Sequence, residues 1–436
     1  NIVEPDAPRC FWQAEQISQP TIRIGNRSVG CGGEKPNRRI FAHVQHDQIA
    51  ANGIDWKIDA AWQRIVDDRT TRNFGADTRR FEDNRSDLYG LTVNASGDLG
   101  EIGWIAGVDL YYDEVRSART EQDLVSNALT SRAPRFPDGS TITQAGLFTK
   151  LDWQAAEQHR FSIGIRWSDV AIDLPDGTDI DPSRLSGDIG WLFDVSDAWQ
   201  VVANFGSGFR APNIAFLGTL GERPGNRFNV PNANLEPETV MHYDLGLRYR
   251  SDGWRLELVG YGLSYDERIV SVSTGATTPT GRDIVRSENA ASSTLHGFEV
   301  ALAVALSDRM DLEAVVNYAR GDQRVDSVEE PADRVPPLHG RITLRAAVSA
   351  AWTVETWLHG AAEQDRLSAR DIRDVRIDPT GTPGWASVGA SARWEGIDGW
   401  DVLVAADNLL DKRYRVHGSG IDAPGLNLAL TVRHRW

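Results

Sequence analysis

From Leu426 onward, apolar side chains occupy every second position (Leu426, Leu428, Leu430, Val432), with Asn427, Thr431, Arg433 and Arg435 between them. The same alternation recurs at Ile54, Trp56 and Ile58; at Ile102, Trp104, Ala106, Val108 and Leu110; and at Phe161, Ile163, Ile165 and Trp167. Further copies are Met241 through Tyr249, Phe298 through Leu306, and Ile342 through Val348. A period of two predicts β-strands with one greasy face. The intervening face carries Gly, Ser, Thr and Arg (Ser162, Gly164, Arg166; Arg341, Thr343, Arg345), and aromatic residues gather near the strand ends. Helical periodicity is nearly absent. A polar second face with aromatic girdles suits lipid outside and a polar lumen inside, so the pattern predicts an all-β, transmembrane, antiparallel up-and-down β-barrel.

The connectors fall into two classes. Short turns rich in Asn, Asp and Gly (Asn52-Gly53, Gly97 to Gly100, Ser196 to Ala198, Ser251 to Gly253) alternate with long polar segments such as Thr120 to Ile142, Arg210 to Glu238 and Ser273 to Ser292. In outer-membrane barrels short turns are periplasmic and long loops extracellular. Counting passes gives about 17 strands, an odd number for a fold that normally closes on an even one. An odd count, with the C-terminus on the periplasmic side, places the N-terminus outside, part-way round a barrel. The expected organisation is residues 1–37 as an extracellular loop and 38–436 as barrel wall.

Composition narrows this reading. With 46 basic and 62 acidic residues the net charge is −16, which excludes a basic nucleic-acid footprint. The longest aliphatic run, Val300 to Leu306, is far short of the ~20 apolar residues of a membrane helix. A mean hydropathy of −0.38 is compatible with a barrel, which hides apolar surface on alternate residues. The chain opens Asn1-Ile2-Val3-Glu4, without the cationic head and apolar stretch of a signal peptide. Cys10 and Cys31, the only cysteines, suggest one disulfide in an exported chain, the alternative being two unpaired thiols.

Three stretches carry a family resemblance: Phe209-Arg210-Ala211-Pro212-Asn213 followed by Asn234-Leu235-Glu236-Pro237-Glu238; Asn289 through Gly297-Phe298-Glu299; and Asn408-Leu409-Leu410-Asp411-Lys412-Arg413-Tyr414 leading to the terminal Trp436. In this order they resemble the barrel of TonB-dependent outer-membrane receptors, over roughly the second half of the chain. The resemblance implies a barrel of roughly 22 strands closed around a plug domain. It further implies active import of a scarce solute, a ferric siderophore first and cobalamin or another nutrient second, by loop capture and TonB-driven plug rearrangement. Plug, energy-coupling segment and about five strands are missing from this sequence against that architecture. Their place is expected on a separate chain, with a truncated record as the plain alternative. A structural or adhesion barrel that binds another protein through its loops is the different-class alternative.

No catalytic constellation is visible. His43 and His46 fall on opposite strand faces and make no metal pair. Asp176, Asp179 and Asp181 surround Gly177 in an acidic loop that could wrap calcium, although it lacks the spacing of an EF-hand and reads first as an acidic turn. Arg166, Arg341 and Arg345 are the candidate solute contacts, with packing against a plug as their plainer use. Arg210 and Glu238 are expected to fix a loop, and Trp436 resembles the terminal aromatic read by the insertion machinery.

Overall fold

The computed structural model describes residues 30–34, 38–49, 53–73, 76–223, 227–325, 327–374 and 376–435. Among these residues lie one 24-stranded sheet and two five-residue helices, α1 (Ile214–Gly218) and α2 (Ala369–Arg373). Seventeen of the strands follow one another as antiparallel neighbours and form the wall: β1 (Arg38–Ile49), β2 (Ile54–Val66), β3 (Thr78–Leu99), β4 (Ile102–Asp123), β5 (Ser140–Ala156), β6 (His159–Asp173), β7 (Ser183–Asp194), β8 (Trp199–Arg210), β9 (Glu238–Ser251), β10 (Trp254–Thr277), β11 (Asp283–Ser307), β12 (Met310–Val325), β13 (His339–Ala347), β14 (Trp352–Ala361), β15 (Trp385–Trp394), β16 (Trp400–Asp407) and β17 (Asn427–His434). The remaining short strands decorate one end. Gly30–Glu34 pairs with Arg69–Asn73, and Arg227–Val230 runs parallel to the start of β11.

Register decides which residues share a face. Ile102, Trp104, Ala106, Val108, Leu110 and Tyr112 of β4 sit opposite Trp153, Leu151, Thr149, Leu147, Ala145 and Thr143 of β5, and the greasy row passes from strand to strand around the wall. These side chains are exposed, Leu245 at 61% and Leu147 at 57%, because nothing among the described residues packs on them. That is the pattern of a wall whose outer solvent is hydrocarbon. Aromatic side chains bound the row at both ends: Trp199 on Tyr249 and Trp153 on Phe161 near the short turns, and Tyr89 on Tyr112 and Phe298 on Tyr318 toward the long loops.

The short turns close with glycines at positive φ, Gly100 at +68° and Gly253 at +81°, a region open to glycine at little cost. At the other end the strands outrun the apolar pattern. β4 has 22 residues and β11 has 25, against about ten needed to cross a bilayer. The segments Thr120 to Ile142 and Ser273 to Ser292, read from sequence as connectors, therefore include strand: β4 ends only at Asp123 and β10 and β11 meet in a protruding hairpin. A strand with water on both faces needs no greasy alternation, only its ladder bonds, so the period-two signal stops before the strand does.

The chain enters β1 at the long-loop end and leaves β17 at the short-turn end. Among the described residues no ladder joins β1 to β17, so the sheet is open. Both edge strands are exposed along their described length, with Val44 at 71% and Leu430 at 68%.

Candidate ligand-facing mouth and lumen

The inner face holds the charges. Arg166 reaches from β6 to Asp109 of β4 in a fork of two bonds, 2.7 and 2.9 Å, and its Nε donates to Ser168 at 2.8 Å. Gly146 sits between the two strands because a Cβ there would meet the Arg166 guanidinium. Its charge is therefore matched inside the wall. Arg341 donates to Thr343, lies 3.7 Å from Glu355 and stacks over Trp357 with 4.8 Å to the ring centroid. Arg345 is opposite Glu355 in register, is exposed, and makes no ion pair or side-chain hydrogen bond among the described residues. The three candidate arginines thus share the inner face, two engaged and one open.

Over this lumen the long loops fold into two bodies. In the first, α1 follows the Phe209-Arg210-Ala211-Pro212 stretch, capped by Asn213, whose side chain accepts from the Phe216 amide at 3.0 Å. Its Ile214 and Leu217, with Leu235, pack on Val170 and Ile172 at the top of β6, Leu174 just beyond it and Ile269 of β10. Pro212 is fully enclosed, Pro237 is buried, and Phe209 and Ala211 border the cluster. Glu238, 8% exposed, pairs with Arg210 and accepts the Ile269 amide at 2.7 Å. Asn289 stitches the far side, accepting the Glu236 amide and donating to the Glu236 and Glu267 carbonyls. The motif residues thus tie a long loop to the inner wall.

The second body joins the loop segments 327–338, 362–374 with 376–384, and 408–426. Asp371, 1% exposed, accepts the Arg334 amide at 2.9 Å; Asp333 accepts from Ser368 Oγ, Gln323 and Arg370; Gln364 donates to the Val335 carbonyl at 2.7 Å. Burial alone would raise the Asp333 carboxyl, but the bonds from Ser368 and Arg370, the Arg370 charge and Gln323 outweigh it and hold the group below the usual carboxylate range. His417 meets Thr382 at 2.9 Å, and burial pushes its imidazole below the ordinary value, with Asp371 pulling up and Arg334 down. Asn408, 3% exposed and at φ +51°, donates to the Lys412 and Pro424 carbonyls, while Asp411 accepts the Leu426 amide at 2.9 Å. Leu409 bonds the β15 backbone through its amide, and Tyr414 stacks on Trp385 at 4.0 Å, beside His359. Asp333, Arg334 and Asp371 escaped sequence reading. One signal was present: Ser368-x-x-Asp371 is a helix-start pattern, and Ser368 caps α2.

Asp179 pairs through its backbone with Asp173, Asp176 accepts the Thr178 amide at 3.0 Å, and Gly177 takes φ +86°. Among the described residues no three His, Cys, Asp or Glu side chains converge where a metal ion could sit, Asp181 included. His43 and His46 oppose Ala61 and Ile58 on opposite faces of β1. Cys10 and Trp436 lie outside the described residues. For Cys31 only the backbone, in the strand Gly30–Glu34, is described.

Comparison with known proteins agrees with this architecture. The sequence is 26% identical over 246 residues to the ferric enterobactin receptor PirA of Pseudomonas aeruginosa, covering 52% of this chain and 33% of that protein. It is 22% identical over 348 residues to the ferrienterobactin receptor of Escherichia coli, 77% of this chain and 42% of that one. The chain thus spans well under half the length of these relatives. Among solved structures, the copper transporter OprC superposes with a TM-score of 0.77 at 17% identity, covering 93% of this chain and 66% of its own. The ferric citrate transporter FecA gives 0.70 at 15%, with 93% and 62% covered. Residues 13–409 match the family described as TonB dependent receptor-like, beta-barrel, and the chain belongs to that family.

Proposed function

We propose that this chain forms most of the wall and mouth of an outer-membrane import receptor, with its long-loop end outside the cell, that captures a ferric siderophore and passes it inward. The observation that carries the reading is the two-faced wall: an exposed greasy face bounded by aromatic belts, and an inner face of arginines and carboxylates beneath folded loops. A lumen lined with matched charges suits a path for a polar, anionic solute far better than it suits a sealed structural post. That the sequence relatives are receptors for ferric enterobactin supports a siderophore as the solute. Arg345 and the Arg341–Trp357 pair are the proposed solute contacts, one open cation beside one that stacks on an aromatic face.

Open strand edges are costly in lipid, several kcal/mol for each unpaired backbone group. The reading therefore includes further strands between β1 and β17, a plug, and a segment that engages the TonB machinery. A denaturing gel of the native receptor reads whether those strands travel on one longer chain or on a second polypeptide. The import reading is tested by deleting the gene and measuring uptake of radiolabelled ferric enterobactin and related siderophores under iron limitation. Loss of uptake, restored by the intact gene and not by an Arg341→Ala, Arg345→Ala double variant, is the expected result. Unchanged uptake of every siderophore tried would overturn it.

A further inference from the structure

We propose that the second loop body is a proton-operated latch: a proton taken up by His417 moves the Asp371 carboxylate from Arg334 to the imidazole and lets the segment 327–338 come away from the segments around α2. The consequence for solute capture rests on the import reading; the latch itself does not.

Three side-chain atoms in this body are enclosed without a hydrogen-bond partner among the described residues: Nε of Arg334, Oδ1 of Asp371 and Nε2 of His417, one from each loop. A buried donor or acceptor left unpaired is costly, and these three are chemically complementary. One is a cation's N–H, one an anion's oxygen, and one a nitrogen that takes up a proton near neutral pH. Their neighbouring atoms hold them in place. Asp371 gives its Oδ2 to the Arg334 amide at 2.9 Å, while its Oδ1 stands 3.6 Å from Arg334 Nε, too far for a bond. His417 meets the Thr382 hydroxyl at 2.9 Å through Nδ1, so Nε2 is the nitrogen left to change state. Gly418, the next residue, lays this loop on Arg334, since a Cβ there would lie 3.7 Å from Arg334 Cδ.

Asp371 and Arg334 are the charges that act on His417, the first favouring its protonated form and the second opposing it. Around them Asp374 pairs with Arg334 and Arg376, Asp333 with Arg370, and Asp422 with Arg413 and Arg415. Asp371 is 1% exposed and needs a cation beside it, and its Oδ1 is open to a choice between Arg334 and a protonated His417. At neutral pH burial keeps the imidazole uncharged, and Arg334 is the counter-charge. As pH falls below the ordinary histidine value of 6.5, a proton arrives on Nε2, which then donates to Oδ1. Arg334 is left with Asp374, a carboxylate that Arg376 already serves. Arg334 also sits at φ +57°, a left-handed conformation that a side chain resists and that its amide bond to Asp371 helps to hold. A carboxylate that turns toward His417 therefore releases the guanidinium and the backbone together.

Hydrogen exchange of the complete receptor in detergent, read by mass spectrometry at about pH 8 and about pH 5 and corrected for the intrinsic change in rate, tests the latch. Amides of residues 327–338 should exchange about tenfold faster in acid, while loop 211–237 and β13 hold their protection. His417→Gln keeps a polar group for Thr382 and takes up no proton, so it should retain the slow exchange at both values. Arg334→Gln should show the fast exchange at both. Equal protection of 327–338 at the two values in the unaltered receptor, or an acid response that survives in His417→Gln, rules the latch out. A His417→Gln receptor that exchanges fast at both values gives the imidazole a packing role only and overturns the switch. Retention of ferric enterobactin by the same samples reads the import proposal separately. A receptor that binds none loses that proposal and keeps the latch; one that binds should release it faster in acid only while His417 is present.

Discussion

At the scale of single residues, Glu238 shows how a buried charge fixes a loop. Its carboxylate satisfies both the Arg210 guanidinium and the Ile269 amide, so Glu238→Ala leaves a buried donor unpaired at a cost of about 1–3 kcal/mol. Hydrogen exchange over residues 211–237 should accelerate accordingly, while the wall strands keep their protection. Gly218 tests packing instead: a Cβ there falls inside contact distance of Pro137, so Gly218→Val should overpack the mouth by about 1–3 kcal/mol and lower the melting temperature. His417 and Asp333 give a pH dependence. Both folded-state values are depressed, so below the ordinary values of 6.5 and then 3.8 the unfolded loops bind more protons than the folded ones. The second loop body should hold fully above pH 6.5, loosen as His417 is forced to protonate, and loosen again as Asp333 does. Protease susceptibility of residues 362–384 against pH measures this, and His417→Gln should remove the first step only. Asp333, Asp371 and His417 were illegible in sequence because Ser368, Arg334 and Thr382, which hold them, stand 35 to 37 positions away. Arg210 and Glu238 stood out through family resemblance, while their joint hold on Ile269 depends on where β10 runs.

At the scale of elements, each strand separates two environments residue by residue. Leu245 is outward on β9 and 61% exposed, whereas Ala301 is inward on β11. Leu245→Arg should cost about 2–4 kcal/mol in a folding titration into lipid vesicles, and Ala301→Arg much less, because only the first forces a charge into hydrocarbon. Equal costs would mean that the faces have been assigned wrongly. The alternation made the faces and the short turns plain, since lipid imposes it on every crossing. It said nothing of how far β4, β10 and β11 extend, because beyond the belt neither face has an apolar partner to demand a pattern.

At the scale of the whole molecule, no ladder joins β1 to β17 among the described residues. A wall with two bare edges should not give the heat-resistant, protease-protected band of a closed barrel when these residues alone are folded into vesicles, and should give it when the completing strands are supplied. The buried apolar cluster sits at the mouth, where α1 and Leu235 pack on the tops of β6 and β10. On the import reading proposed above, capture of a solute depends on how the two bodies stand over the lumen arginines.

The sequence by itself determined the strand periodicity, the polar lumen and the family, because each is written locally, in alternation or in short motifs. Which arginines are matched, which carboxylates are buried and how the loops fold into the mouth were decided by the tertiary structure alone. Those properties arise from contacts between strands far apart in the chain, and a lumen-facing arginine looks the same in sequence whether or not its partner across the sheet is a carboxylate.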